Sequence, residues 1–167
     1  ITGTNGKTTT TTFAGVAVLE CDKKVFVGGN IGVPFCDYAF NILKNVKNKV
    51  DVIVLELSSF QLESIFDFKA NVAMILNLSF SHGERYEKIE DYGDAKLKIT
   101  NHFGKEDLLI ISDQSDYVLA KTKNKEYKRK IISNEDPEFD DFDISTFKLP
   151  GVHNKVNLAS AIEAIKR

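Results

Sequence analysis

The run Thr2-Gly3-Thr4-Asn5-Gly6-Lys7-Thr8-Thr9 at the head of the chain constrains everything after it. A Gly-Lys-Thr turn feeding a helix lets backbone N–H groups converge on phosphate oxygens, the lysine reaches the outer phosphates, and the next hydroxyl can ligate Mg²⁺. Such a loop needs a strand before it and a helix after it. The general pattern has a glycine five residues before Gly6, where this chain has Ile1, so the loop is a variant. The alternative reading is a glycine-rich turn that only joins a strand to a helix.

Hydrophobic patterning along the rest of the chain alternates strands with helices. Thr8 to Glu20 reads as the helix after the loop, although its threonine run is poor helix material and needs packing to hold it. Val25-Phe26-Val27 reads as a strand, 28–32 as a loop, and Pro34 as part of the first turn of a helix reaching Val46. Asp51 to Leu57 is a strand whose continuous apolar core suits burial on both faces. Ser58-Ser59-Phe60-Gln61 is a capping-box helix start, and Asn71 to Leu78 is another buried strand. A helix over Lys88–Phe103, a strand over Asp107–Ser112, a short helix over Tyr117–Thr122 and a strand over Arg129–Ser133 follow. Asn134 to Asp143 is an exposed connection; a strand near Ile144–Leu149 and a helix from about Asn154 complete the pattern. This alternation predicts an α/β fold, a mostly parallel P-loop-type sheet flanked by helices.

Composition narrows the partners. The 167 residues, 43% hydrophobic, can bury one core, so a single domain is expected. A net charge of −2 gives no electrostatic case for nucleic acid. Cys21 and Cys36 form neither a CxxC nor a ligand cluster, which points to a reduced, cytoplasmic setting. No apolar run reaches membrane length, so no membrane insertion is expected. The chain opens without methionine, with almost no strand before the loop, and stops at Arg167 inside a helical pattern, which reads as an excised domain.

Polar residues stand just past the apolar cores of three strands: Asn30, Glu56 and His82. Ligands of open α/β sheets bind outside the carboxyl ends of the strands, where the phosphate loop also belongs. Each residue alone also reads as structural: Asn30 as a turn former, Glu56 as a strand-end carboxylate, His82 as a loop or cap residue. Lys96 falls on the apolar stripe of its helix with Ile89, Tyr92, Ala95, Ile99 and Phe103. It either snorkels to solvent or needs a partner or a modification.

The loop, together with G-N-I-G at 29–32, E-L-S-S-F-Q-L at 56–62, the asparagine and histidine of N-L-S-F-S-H at 77–82, A-K-L at 95–97 and G-V-H-N-K-V-N at 151–157, resembles the central ATP-binding domain of the Mur ligases. The S-S-F-Q-L wording is similar to the D-glutamate-adding member. The resemblance implies a nucleotide-binding site of Thr4, Asn5, Gly6, Lys7, Thr8 and Thr9, with His153 and Asn154 near the adenine. It implies Thr8 and Glu56 as ligands of one Mg²⁺, His82 and a carbamylated Lys96 as ligands of a second, Asn30 beside the phosphate and acyl groups, and Ser58 supporting the metal shell. Lys7, Asn30, His82 and Lys96 would act in catalysis on ATP, UDP-MurNAc-L-alanine and D-glutamate, by way of an acyl phosphate. The N-terminal UDP-binding and C-terminal domains would lie outside this chain, which alone would be inactive. The family commonly has Asp before the histidine and Asp two residues after it; here Ser81 and Glu84 stand there. Folylpolyglutamate synthase, a small-molecule kinase and a non-catalytic nucleotide-binding module are the alternatives.

Overall fold

The computed structural model describes residues 1–139 and 142–167. Its elements alternate as α1 (Lys7–Glu20), β1 (Val25–Gly29), α2 (Phe35–Leu43), β2 (Val52–Glu56), α3 (Ser59–Glu63), β3 (Val72–Ile75), α4 (Ile89–Leu97), β4 (Leu108–Ser112), α5 (Asp116–Thr122), β5 (Lys128–Ile132) and α6 (Val152–Ile165). β1 pairs parallel with β2, and β3, β4 and β5 pair parallel in that order.

Ile1 and Thr2 join these two groups of strands. The Leu57 amide donates to the Ile1 carbonyl at 2.8 Å on one side, and on the other the Thr2 amide donates to Met74 at 2.9 Å while Leu76 returns a bond to Thr2 at 3.1 Å. The spatial order is therefore β1, β2, the phosphate-loop segment, β3, β4, β5. From the loop segment the chain crosses by α1 to one side of the sheet, and later returns past it to the other side. The loop thus stands where the strand order reverses, the usual ligand position in open α/β sheets.

Alternation along the strands divides the core. Met74, Leu76, Leu108 and Ile110 face one side, packed with Ala14, Val156, Ala159 and Ala161 of α1 and α6. Ala73, Ile75, Leu109 and Ile111 face the other, packed with Leu62, Ile99 and Val118. Leu109 and Ile111 are fully buried, as a central parallel strand requires, and each such side chain contributes about 1.5–3 kcal/mol by leaving water. This burial also holds the threonine-rich α1: Thr10 and Thr11 are completely covered, and a Cβ at Gly15 would come within 2.5 Å of Val27, so the helix lies close on the sheet.

Several sequence expectations need correction. No strand forms over 144–149; the Phe147 amide instead turns back to donate to the Ile144 carbonyl at 2.9 Å, and its ring sits edge-on against Phe13 of α1 at 5.8 Å as an apolar anchor. The expected helix over 88–103 gives way to a 3₁₀ turn at Lys98–Thr100, where the Thr100 hydroxyl donates to the Leu97 carbonyl at 2.8 Å. α2 stops at Leu43 because Asn45 takes φ 56° and closes the end, and Pro34 is its N-cap rather than part of its first turn. β1 runs on through Gly28 and Gly29, expected as loop, and β3 ends at Ile75. The exposed connection over 134–143 includes residues 140 and 141, which lie outside the described residues. Among the described residues no helix is long and apolar enough to cross a membrane.

Candidate active site

Gly6 makes the phosphate loop's turn into α1. It takes φ 79° as the helix N-cap, a left-handed backbone that favours glycine, and its carbonyl accepts from Thr10 at 2.9 Å. Asn77, two residues past the end of β3, pins the loop: its Oδ1 accepts from the Asn5 amide at 2.8 Å and its Nδ2 donates to the Asn5 carbonyl at 3.0 Å. The Thr4 hydroxyl adds a second pair, donating to the Ser79 carbonyl and accepting from the Ser79 amide. The first amides of α1 are thereby held toward open space at the helix's positive end.

Around that loop the structure gathers the strand-end residues. Lys7 curls over its own loop, donating to the carbonyls of Gly3 at 3.1 Å and Thr4 at 2.9 Å. Glu56, only 2% exposed, accepts from the Thr8 hydroxyl at 2.8 Å on one carboxylate oxygen and from the Asn30 amide at 2.9 Å on the other. Asn30 reaches it because β1 and β2 pair in register and the Asn30 main-chain N–H donates to the Glu56 main-chain carbonyl at 2.8 Å. A hydroxyl and a carboxylate side by side are hard oxygen donors of the kind Mg²⁺ takes, completed by water and phosphate oxygens. Thr9 follows on α1, half-buried.

Lys96 does not snorkel. At 1% exposure its ammonium lies 4.1 Å from the centre of the Tyr92 ring, donates to the Gly3 carbonyl at 3.0 Å, and sits 3.4 Å from the Thr2 hydroxyl. Lys7 and Lys96 therefore share one carbonyl oxygen. Burial, reinforced by the charge of Lys7, lowers the Lys96 pKa from 10.5 to about 7.

His82 also packs against Tyr92, ring centroids 6.0 Å apart, with Phe60 at 5.0 Å and its Nδ1 3.2 Å from Glu84 Oε1. Glu84, at one of the two departures from the family pattern, thus orients the histidine. Among the described residues no three His, Cys, Asp or Glu side chains gather to hold a metal. Ser58 is occupied as the N-cap of α3, its hydroxyl accepting from the Gln61 amide while Gln61 accepts in return from the Ser58 amide.

Across the loop lies a cavity of about 400 Å³ whose walls include Asn5, Gly6, Asn77, His153 and Asn157. His153 lines it, but Asn154 turns away to donate to the Pro150 carbonyl at 2.7 Å. Sequence reasoning missed Asn157, one helical turn on from His153 and only 5% exposed, whose amide stands against Gly6. The i,i+3 and i,i+4 spacing from Asn154 and His153 carried that signal. It also gave Tyr92 and Asn77 no role, although Tyr92 lies four residues before Lys96 on one helix face.

A phosphate loop at the switch point of a parallel sheet, with the buried Glu56 carboxylate bonded to the Thr8 hydroxyl beside it, defines a nucleotide-phosphate-binding α/β domain. The Mur ligase middle domain matches residues 1–165, and the chain belongs to that family. It is 36% identical over 181 aligned residues to a UDP-N-acetylmuramoylalanine--D-glutamate ligase of Geotalea uraniireducens (strain Rf4), covering 97% of this chain and 39% of the relative. Another protein of that name, from Desulfotalea psychrophila (strain LSv54), is 47% identical over 112 residues, 67% of this chain and 24% of the relative. The chain thus spans about two fifths, or less, of the length of these curated relatives. The MurF ligase of Thermotoga maritima, solved in complex with ADP, superposes with a TM-score of 0.72 at 19% identity over 99% of this chain and 44% of its own, a likeness of fold.

Proposed function

We propose that this chain is the central, ATP-binding domain of a cytoplasmic ligase that adds D-glutamate to UDP-MurNAc-L-alanine in peptidoglycan precursor synthesis. The observation that carries the reading is 36–38% identity over 97% of the chain to relatives of that name. Lys7, Thr8, Asn30 and Glu56 gathered on one strand edge give it a chemical footing. The remaining domains of such an enzyme would hold the UDP end of the substrate and the amino acid.

In this reading the α1 N-terminal amides and Lys7 bind the ATP phosphates, Lys7 exchanging the Gly3 and Thr4 carbonyls for phosphate oxygens. His153 and the cavity wall beneath Gly6 receive the adenine. Thr8 and Glu56 would hold one Mg²⁺, and His82 with Lys96 a second; bound magnesium would offset charge on the transferring phosphoryl group. A carboxylate oxygen of UDP-MurNAc-L-alanine attacks the γ-phosphorus, the bond to the β-phosphate oxygen breaks, and an acyl phosphate and ADP result. The D-glutamate amine then attacks the acyl carbon and phosphate leaves, with loss of a proton from nitrogen. Asn30 orients the phosphate and acyl groups, so catalysis is mainly positioning and electrostatics.

Lys96 suits carbamylation. Near neutral pH a large share of its amine is unprotonated and able to add CO₂, releasing one proton. The resulting anion beside Lys7 would replace like-charge repulsion with attraction. The reading is tested by offering the full-length protein UDP-MurNAc-L-alanine, ATP and Mg²⁺ with D-glutamate, L-lysine or meso-diaminopimelate in turn. ADP release and amide formation with D-glutamate alone are expected, and product only with another amino acid would overturn the substrate assignment.

A further inference from the structure

Glu63, the last residue of α3, ties two other parts of the site to that helix. Its carboxylate receives the Arg85 guanidinium from the turn that carries His82. Its main-chain carbonyl accepts from Lys98 Nζ at 3.1 Å, just beyond the end of α4, which bears Lys96. α3 itself starts at Ser59, directly after the Glu56-Leu57-Ser58 segment. One short helix therefore stands between the Glu56 end of β2, the His82 turn and the Lys96 helix.

The His82 turn has little structure of its own. Neither helix nor strand forms between Ile75 and Ile89, and His82 holds φ 58°, unusual for a residue other than glycine. The turn is nonetheless compact, since the Arg85 and Tyr86 amides both donate to the His82 carbonyl, at 2.9 and 3.0 Å. A force on the Arg85 side chain is therefore passed to His82 through one tight turn. Phe60 of α3 supplies an apolar bed, its ring 5.0 Å from His82 and stacked on Tyr86 at 6.1 Å, but ring stacking tolerates sliding. A directional, charged contact between the turn and α3 is the ion pair, formed beside the Tyr86 hydroxyl that also faces Glu63 and Ser59. With Arg85 58% exposed and Glu63 22% exposed, such a pair adds little to stability, so its consequence is geometric.

We propose that the Arg85–Glu63 ion pair is a positioning device for the ligase reaction, fixing the His82 turn to α3 so that the imidazole stands at a set distance from Glu56 and the phosphate loop. The inference rests on the function proposed above. Neither residue touches the nucleotide in this account; both act through His82.

The experiment compares full-length protein with Arg85→Ala, Glu63→Arg and the charge-swapped double variant Arg85→Glu/Glu63→Arg. Steady-state kcat and KM for ATP, the melting temperature, and the imidazole proton resonance of His82 are measured for each. Both single variants are expected to lower kcat about tenfold or more, the range for residues that orient a reacting group at one remove, with KM for ATP and melting temperature unchanged. The His82 resonance should shift in both, and the swap should restore resonance and rate together. Parental kcat in Arg85→Ala, or a swap no better than the single variants, would overturn the proposal. So would a rate loss matched by a fall in melting temperature, because the pair would then be holding the fold. Should the parent protein form no product at all, the functional reading fails, while the His82 resonance and its return in the swap still decide the positioning claim.

Discussion

Lys7 and Lys96 meet at one carbonyl oxygen, and their different surroundings make different predictions. Lys7 is held by two backbone carbonyls near the mouth of the site, so its removal strands no buried partner. Lys7→Ala in the full-length protein is expected to reduce ADP affinity at least tenfold with little change in melting temperature, since one charge-assisted contact contributes about 1.5–3 kcal/mol. Calorimetry giving equal affinity would remove Lys7 from the site. Lys96, by contrast, is buried, with its pKa lowered to about 7. Between that value and the ordinary lysine value of 10.5 the unfolded chain holds a proton that the folded protein has released, so stability from this group rises with pH across that window and is lost as pH falls through about 7. In bicarbonate-free buffer, Lys96→Met should therefore raise the unfolding free energy measured by urea denaturation at pH 6, by on the order of 1–3 kcal/mol, and raise it less at pH 9. A variant no more stable than the parent at pH 6 would contradict the burial account.

At the scale of elements, the turn into α1 is the most exposed to test. Gly6→Ala would strain a backbone at φ 79° and bring a Cβ to 2.7 Å from the Asn157 Oδ1, pressing that amide into the cavity. A stability loss of about 1–2 kcal/mol and a loss of ADP binding are expected by thermal melting and calorimetry, and unchanged ADP affinity would contradict the placement of the nucleotide. The elements legible in the sequence were those whose signal is local: the Ser58 capping box, the apolar runs of β2 and β4, and the Gly-Lys-Thr turn. The missing strand over 144–149 was not, because that run turns on itself and packs Phe147 on Phe13 of α1, a long-range contact that residue type alone does not encode. In the site, Asn30, Glu56, His82 and Lys96 were readable as polar residues at strand ends or on an apolar stripe. The Asn77 pin, the Tyr92 ring shared by His82 and Lys96, and the cavity-lining Asn157 depend on long-range packing that spacing alone does not encode.

For the whole molecule, Lys7, Thr8, Asn30 and Glu56 gather at one edge of the sheet, while the chain covers 39% of a relative of the proposed function. Positioning the phosphoryl-accepting carboxylate and the amine is the part of catalysis expected from the rest of the protein, and proximity of this kind can be worth about 7–11 kcal/mol. The chain alone is accordingly predicted to form no amide under conditions in which the full-length protein does, and full-rate ligation by the 167 residues would contradict that division of labour. The central claim is that a substrate carboxylate attacks the γ-phosphate held over the Lys7 loop. It is tested most directly by giving the full-length protein UDP-MurNAc-L-alanine labelled with ¹⁸O in its carboxylate, with ATP, Mg²⁺ and D-glutamate, and analysing the released phosphate by mass spectrometry. An acyl-phosphate route predicts inorganic phosphate carrying one labelled oxygen from the carboxylate; amide formation with unlabelled phosphate would contradict it.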